Sequence, residues 1–324
     1  MPARKPLHRQ RDTVLYVEGG RALNGRVCIS GAKNASLPIM AAALLTDEPV
    51  RLHNVPEVAD TDLMREIIHQ LGGRVRSLGG GSLTITTHRL ASQVPDELGK
   101  RMRASIVLLG ALLSRTGAAR LPKPGGDEIG ARRVEQHIRG LRAMGADIHE
   151  TKADFVAKCR HLKGARVVFD LPTVTGTENI ILAAVLAEGR TEIFNAAREP
   201  HVQDLARFLV KMGAQIHGIG TDELVIEGVP RLHGAEHHVI PDYLEAGTYA
   251  IAVAATGGDV LLECSRPRTC ARCFSSWRRR APTSRSGRAS SVSAGSAAPT
   301  CARSTWGPGS TPAFRPTSRP STWP

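Results

Sequence analysis

No apolar run in the 324 residues approaches the roughly 20 needed to cross a bilayer. The basic leader MPARKPLHRQR has no apolar core to follow it, so it is not a secretory signal. The six cysteines are scattered without the spacing of a disulfide framework, and the Cys270–Cys273 pair has no second pair to complete a four-ligand zinc site. No metal or organic cofactor is implied, and the expected compartment is the cytoplasm. Residues 265–324 lack every acid, every Lys and every Leu, Ile and Met, yet hold eleven Arg and all three Trp. Such a stretch cannot bury enough apolar surface to offset its ordering entropy, so residues 264–324 are expected to be disordered.

That tail also accounts for the charge. The chain carries +13, but removing the eleven tail arginines from the 43 Lys plus Arg leaves 32 against 30 Asp plus Glu. Most of the chain is therefore near neutral, and the charge does not imply a nucleic-acid or membrane partner.

What is present is a repeat. LGGRV, MGADI and MGAQI recur about 70 residues apart, with glycines at 72, 145 and 213. Before each comes an amphipathic helical pattern (DTDLMREIIHQ, RVEQHIRGLRA, VQDLARFLVK). Before that comes a short strand (VRLHNV, AARLPK, TEIFNA), and before that an almost wholly apolar helix (ASLPIMAAALL, ASIVLLGALL, ENIILAAVLA). After each glycine an extended stretch closes in a hairpin. A helix apolar all round is buried all round, so three such helices are expected inside with the sheets outside. A fourth unit starts at HHVIPD, continues through LEAGTYAIAVAAT and GDVLLE, and stops where the composition changes near Cys264. A shift inside a structural unit is read as a change of reading frame.

Three basic clusters sit ahead of helices. SGAKNASLP sets Lys33 and Asn34 before the first apolar helix, GKRMRAS sets Lys100 and Arg103 before the second, and Arg132 and Arg133 precede the amphipathic helix of the second unit. Helix starts offer free N–H groups, and Lys and Arg add charge and donors, so the pattern is one that attracts phosphate. SGAKN is not a Walker loop, which has a longer glycine spacing. Solvated loops are the plain alternative for these clusters.

The stretches SGAKNASLP, RMRASIVLLGALL, PGGDEIGAR, TENIILAAVLAEG, NAAREP and VIPDYLEAGTYAIAVAATGGDV, in this order over about residues 14–263, resemble the UDP-N-acetylglucosamine 1-carboxyvinyltransferases. The resemblance implies an α/β fold, the inside-out α/β barrel of repeated βαβαββ units found in enolpyruvyl transferases. Residues 1–13 are then a leader, 33–240 a complete three-unit domain, and 14–32 with 241–263 part of an incomplete second domain. It implies phosphoenolpyruvate and UDP-N-acetylglucosamine as partners and phosphate release in the first committed step of peptidoglycan synthesis. Lys33, Asn34, Arg103 and Arg132 would hold the anionic substrates. Asp127, in the Gly-Gly-Asp lid where most members carry a cysteine, would be the acid. Arg133, Val134, Glu135 and Gln136 would line the nucleotide pocket, where this chain departs from the usual Pro-Val-Asp-Leu; Thr175 likewise stands where glycine is usual.

The family draws its general base from a second-domain loop, Pro-Gly-Phe-Pro-Thr-Asp, absent from residues 264–324 as written. Codons exist for Ser310–Ser321 that, shifted by two bases, encode that motif, which is compatible with a frameshift near codon 264. Two rivals remain: a shikimate-type enolpyruvyl transferase, which shares the fold, and an inactive truncated protein that binds polyanions through its arginine-rich tail.

Overall fold

The computed structural model describes residues 16–125, 134–263, 291–295 and 301–302. After β1 (Leu23–Cys28) the chain runs through three like units. The first is α1 (Lys33–Ala42), extended by a 3-10 turn at Ala43–Leu45, then β2 (Val50–His53), α2 (Ala59–Gln70), β3 (Arg74–Gly79) and β4 (Ser82–Thr86). The second is the short α3 (Asp96–Gly99), a 3-10 turn at Arg103–Val107 leading into α4 (Leu108–Thr116), β5 (Ala118–Pro122), α5 (Glu135–Ala143), β6 (Asp147–Glu150) and β7 (Asp154–Lys158). The third is β8 (Arg166–Val168), α6 (Val174–Ala184), β9 (Arg190–Phe194), α7 (Pro200–Lys211), β10 (Gln215–His217) and β11 (Glu223–Glu227). Then follow β12 (Glu236–His238), α8 (Tyr243–Thr256), β13 (Gly258–Glu263), β14 (Ser291–Gly295) and β15 (Cys301–Ala302).

The apolar helices are inside, as their composition requires. In α1 every residue from Ala35 to Ala42 is buried, in α4 every residue from Leu108 to Leu113, and in α6 every residue from Gly176 to Ala184. The amphipathic helices α2, α5 and α7 cover them with one face each. Each sheet shows the helices its alternate residues: Val50 and Leu52 in β2, and Leu83 and Ile85 in β4, are buried. The repeat glycines share one task. Gly72, Gly145 and Gly213 each follow a helix and take φ of +93°, +92° and +100°, the left-handed region where a side chain is strained.

The expected barrel is not a closed one among the described residues. The strands form separate open sheets, ordered β12-β2-β4-β3, β5-β7-β6 and β10-β11-β9-β8, with a fourth, β1-β13-β14-β15. A further difference concerns HHVIPD. Its strand, β12, pairs in parallel with β2 of the first unit, so the stretch read as opening a fourth unit closes the first sheet. Equivalent parallel pairings are β8 with β9, and Gln93 with Arg120. Asn54 and Asn195, both at φ of +58°, sit at matching strand ends and donate from Nδ2 to the carbonyls of Val239 and Phe169, each at 3.0 Å.

The buried apolar side chains fall into two clusters. The larger spans Ala32 to Ile240; the smaller holds Ile29, Ala246, Ala250, Val253, Val260 and Leu262. The chain passes between them twice, at two adjacent crossings. Ala32 N–H donates to the Ile240 carbonyl and Asp242 N–H to the Ser30 carbonyl, both at 2.8 Å. Glycine at 31 is dictated by crowding, since a Cβ there would lie 1.6 Å from the Asn54 carbonyl oxygen. Although α8 is as apolar as α6, only Ala246, Ala250 and Val253 of it are buried; Leu244, Tyr249 and Ile251 are exposed.

Within residues 264–324 two short strands are described. β14 pairs in parallel with β13 from Asp259–Ser291 to Leu262–Ala294, and β15 pairs antiparallel with β14. The physical reason is the open edge of β13, whose unpaired N–H and C=O groups accept any extended segment of small residues.

Candidate functional site

Because the three units are alike, their inner helices begin at the same end of the domain. Lys33 and Asn34 open α1, Arg103 and Ala104 open the 3-10 turn before α4, and Val174 and Thr175 open α6. His201, in the first turn of α7, joins them. These residues line one cleft of about 350 Å³, with Leu37, Pro38, Met102 and Val107 as its apolar walls and Asp60, Arg101 and Glu178 as further polar ones. Four helix starts facing one space, with Lys33, Arg101 and Arg103 beside them, make a positive enclosure that favours an anion. Lys33 Nζ is held by Asp60 Oδ2 at 2.9 Å, both side chains being part-exposed. That contact holds the ammonium at the mouth and leaves it free to exchange partners at little cost, as exposed ion pairs do.

The floor is acidic and buried. Glu178 is 2% exposed, and its Oε1 has no hydrogen-bond partner. Burial, and then the nearby Glu199 carboxylate, push its carboxyl well above the usual range. Glu199, which caps the start of α7, also has a buried oxygen (Oε2) without a partner. The His201 Nε2 is 4.0 Å from Glu178 Oε1, and its Nδ1 lies 3.2 Å from the hydroxyl of Tyr243 on α8. Burial lowers the His201 pKa, against the opposing pull of Glu199, Asp242 and Asp204. On the α5 side His137 is buried, with Nε2 2.9 Å from Thr175 Oγ1. Burial, and then the charge of Arg103, bring its pKa down to about 4.

The structure therefore brings Lys33, Asn34 and Arg103 together, although they are 70 residues apart in sequence. Lys100 does not line the cleft; its Nζ lies 3.8 Å from Asp96, while its neighbour Arg101 takes a place on the wall. Val134, Glu135 and Gln136 stand at the start of α5, outside the lining. Gln136 has both polar ends engaged, its Nε2 donating to the Leu171 carbonyl and its Oε1 accepting from Asp170 N–H. It fastens α5 to the 170–171 loop. Asp127, Arg132 and Arg133 lie outside the described residues. The first glycine of the Gly-Gly-Asp stretch is described, and its role is close approach: a Cβ on Gly125 would sit 1.8 Å from the Lys100 carbonyl oxygen.

Asp60 and His201 carry no motif that marks them from sequence, and Glu178, though it lies in TENIILAAVLAEG, is not among the site residues read from the sequence. The one available signal was the lone acid in the apolar run TENIILAAVLA, since a charged residue is rarely buried without a partner.

Among the described residues no group of three or more His, Cys, Asp or Glu is placed to hold a metal ion. No described helix is long and apolar enough to cross a membrane.

Solved structures share this architecture. The enolpyruvyl transferase NikO from Streptomyces tendae is 25% identical with a TM-score of 0.64, over 72% of this chain and 56% of that one. An EPSP synthase from Acinetobacter baumannii is 22% identical with a TM-score of 0.62, over 76% of this chain and 57% of that one. The chain thus spans a little over half the length of the enzymes whose fold it matches. Residues 17–273 match the sequence profile described as EPSP synthase (3-phosphoshikimate 1-carboxyvinyltransferase). Fold and profile agree on one lineage: the chain belongs to the EPSP synthase family of enolpyruvyl transferases.

Proposed function

We propose that the chain carries one half of an enolpyruvyl transferase site, and that the reaction moves the enolpyruvyl group of phosphoenolpyruvate to the 3-hydroxyl of UDP-N-acetylglucosamine. The observation that carries this reading is the meeting of Lys33 and Asn34, from SGAKN, with Arg103 at one cluster of helix starts. Phosphoenolpyruvate brings a phosphate and a carboxylate, and the cleft supplies cations and N–H donors for both. The acceptor hydroxyl gives up its proton to a base as its oxygen bonds C2, while C3 takes a proton from an acid. The adduct then loses phosphate and the C3 proton to leave the enol ether. The cations act on charge that shifts from carbon to phosphate during the second step, which is where fixed donors contribute most. In this reading Asp127 of the lid is the acid for C3, and Arg132 its anion-binding companion.

A second reading keeps the chemistry and changes the acceptor. It is favoured by the profile match to EPSP synthase and by the ties on Gln136 and Thr175, which engage residues expected in the nucleotide pocket. Isothermal titration of the 324-residue chain separates the two. Phosphoenolpyruvate binding that is lost in Lys33→Ala, and strengthened by UDP-N-acetylglucosamine, is the expected outcome. Strengthening by shikimate 3-phosphate instead would replace the first acceptor with the second.

A further inference from the structure

We propose that Glu178 binds substrate directly, its buried carboxyl group hydrogen-bonding to the anionic group that Lys33 and Arg103 draw into the cleft. This deepens the enolpyruvyl transferase reading and rests on it. A buried acid without a partner is costly to keep, since a carboxyl removed from water needs a hydrogen bond in exchange. Glu178 Oε1 has no hydrogen-bond partner, and its one ion-pair contact is the His201 Nε2 at 4.0 Å, although Lys33 and Arg103 line the same cleft. Its position is set by the tightly packed α6, where Thr177 and Asn179 on either side are bonded to the Ala197 N–H and the Gly110 N–H. The side chain therefore cannot swing out to water without unpacking the helix.

The charged groups around Glu178 decide its state. Glu199 and His201 face it from α7, Lys33 from α1, Arg103 from the 3-10 turn, and His137 stands on α5 across Thr175. His201 lies 4.0 Å away with its own pKa lowered by burial, and the strongest influence on Glu178 after burial is the like charge of Glu199. Burial and Glu199 both favour the protonated form of Glu178. A neutral acid can donate to a phosphate or carboxylate oxygen, whereas an ionised one would repel it.

The test compares phosphoenolpyruvate binding by the full chain and by Glu178→Gln, Glu178→Leu and Lys33→Ala, from pH 6 to pH 9. Glutamine keeps an N–H donor and cannot ionise. Its affinity should match the parent wherever Glu178 keeps its proton, and the parent should weaken relative to it at any pH where Glu178 ionises. Leucine removes the donor and should weaken binding about tenfold or more at every pH. Should leucine disturb folding, the ratio of parent to glutamine variant still decides. A glutamine variant as weak as leucine, or a leucine variant as strong as the parent, overturns the assignment of Glu178 while loss of binding in Lys33→Ala upholds the site. Binding that is absent, or unaffected by Lys33→Ala, overturns the site itself and the assignment with it.

Discussion

Replacing Asn179 with leucine isolates what holds the cleft's helix starts in place. The Asn179 Oδ1 accepts from Gly110 N–H at 2.6 Å, and its Nδ2 donates to the Ile106 carbonyl at 3.0 Å, with the residue fully buried. These two backbone groups lie where the 3-10 turn at Arg103–Val107 changes into α4, a junction that breaks the regular helical ladder. Leucine is close in volume, so little cavity forms, but it offers neither bond. Each of the two orphaned groups costs about 1–3 kcal/mol, and the added apolar burial returns about 1–2 kcal/mol, leaving a net loss centred on about 2–3 kcal/mol. With a urea slope of about 1–3 kcal/mol per molar, the unfolding midpoint should fall by about 1 M or more. Gly110→Ala tests the same contact from the other side, because a Cβ there would lie 2.3 Å from the Asn179 carbonyl oxygen. The two losses should be markedly non-additive, as for neighbours sharing one contact. Circular dichroism during urea titration measures both. A midpoint within about 0.3 M of the parent, or losses that simply add, would refute the reasoning.

Acid should unfold the chain partly through His137. Its pKa is about 4 when folded against 6.5 for the free side chain, so its contribution is complete above pH 6.5 and is lost as pH falls towards 4, by about 3 kcal/mol in all. His137→Asn should flatten the stability profile in that window, and an unchanged slope would count against the assignment. Gly125→Ala should displace the Lys100 carbonyl and the adjoining Arg101 and Arg103, weakening phosphoenolpyruvate binding about tenfold or more with an almost unchanged unfolding midpoint; calorimetry that finds parental affinity would show that the approach is relieved elsewhere. Leu244→Lys with Ile251→Lys should raise the concentration at which light scattering detects aggregates, with no loss of stability, because both side chains are exposed on α8. A drop in stability would mean that the face is packed. The 324-residue chain, spanning a little over half the length of the matched enzymes, should release phosphate from phosphoenolpyruvate and UDP-N-acetylglucosamine far more slowly than about 1 per second; turnover at that rate in a coupled phosphate assay would show that this half alone is sufficient.

Local chemistry determined much of this protein from its sequence. Helices such as ENIILAAVLA have no polar face to show water, so their burial follows from composition. Glycine at 72, 145 and 213 marks helix ends because the left-handed turn there excludes side chains. Lys33, Asn34 and Arg103 were legible as anion-binding candidates because each stands at a helix start. Everything that depends on which distant segments meet had to wait for the tertiary structure. That β12 closes the first sheet turns on pairing with a strand nearly 190 residues earlier. Gly125 is required by the Lys100 carbonyl, Asn179 by a helix junction 69 residues before it, and His201 enters the cleft only because α7 packs against α1 and α6. Glu178 has the same origin: sequence showed an acid in an apolar helix, but only the packing of four helix starts around it left that acid buried, its Oε1 without a hydrogen-bond partner and beside an anion-attracting cleft.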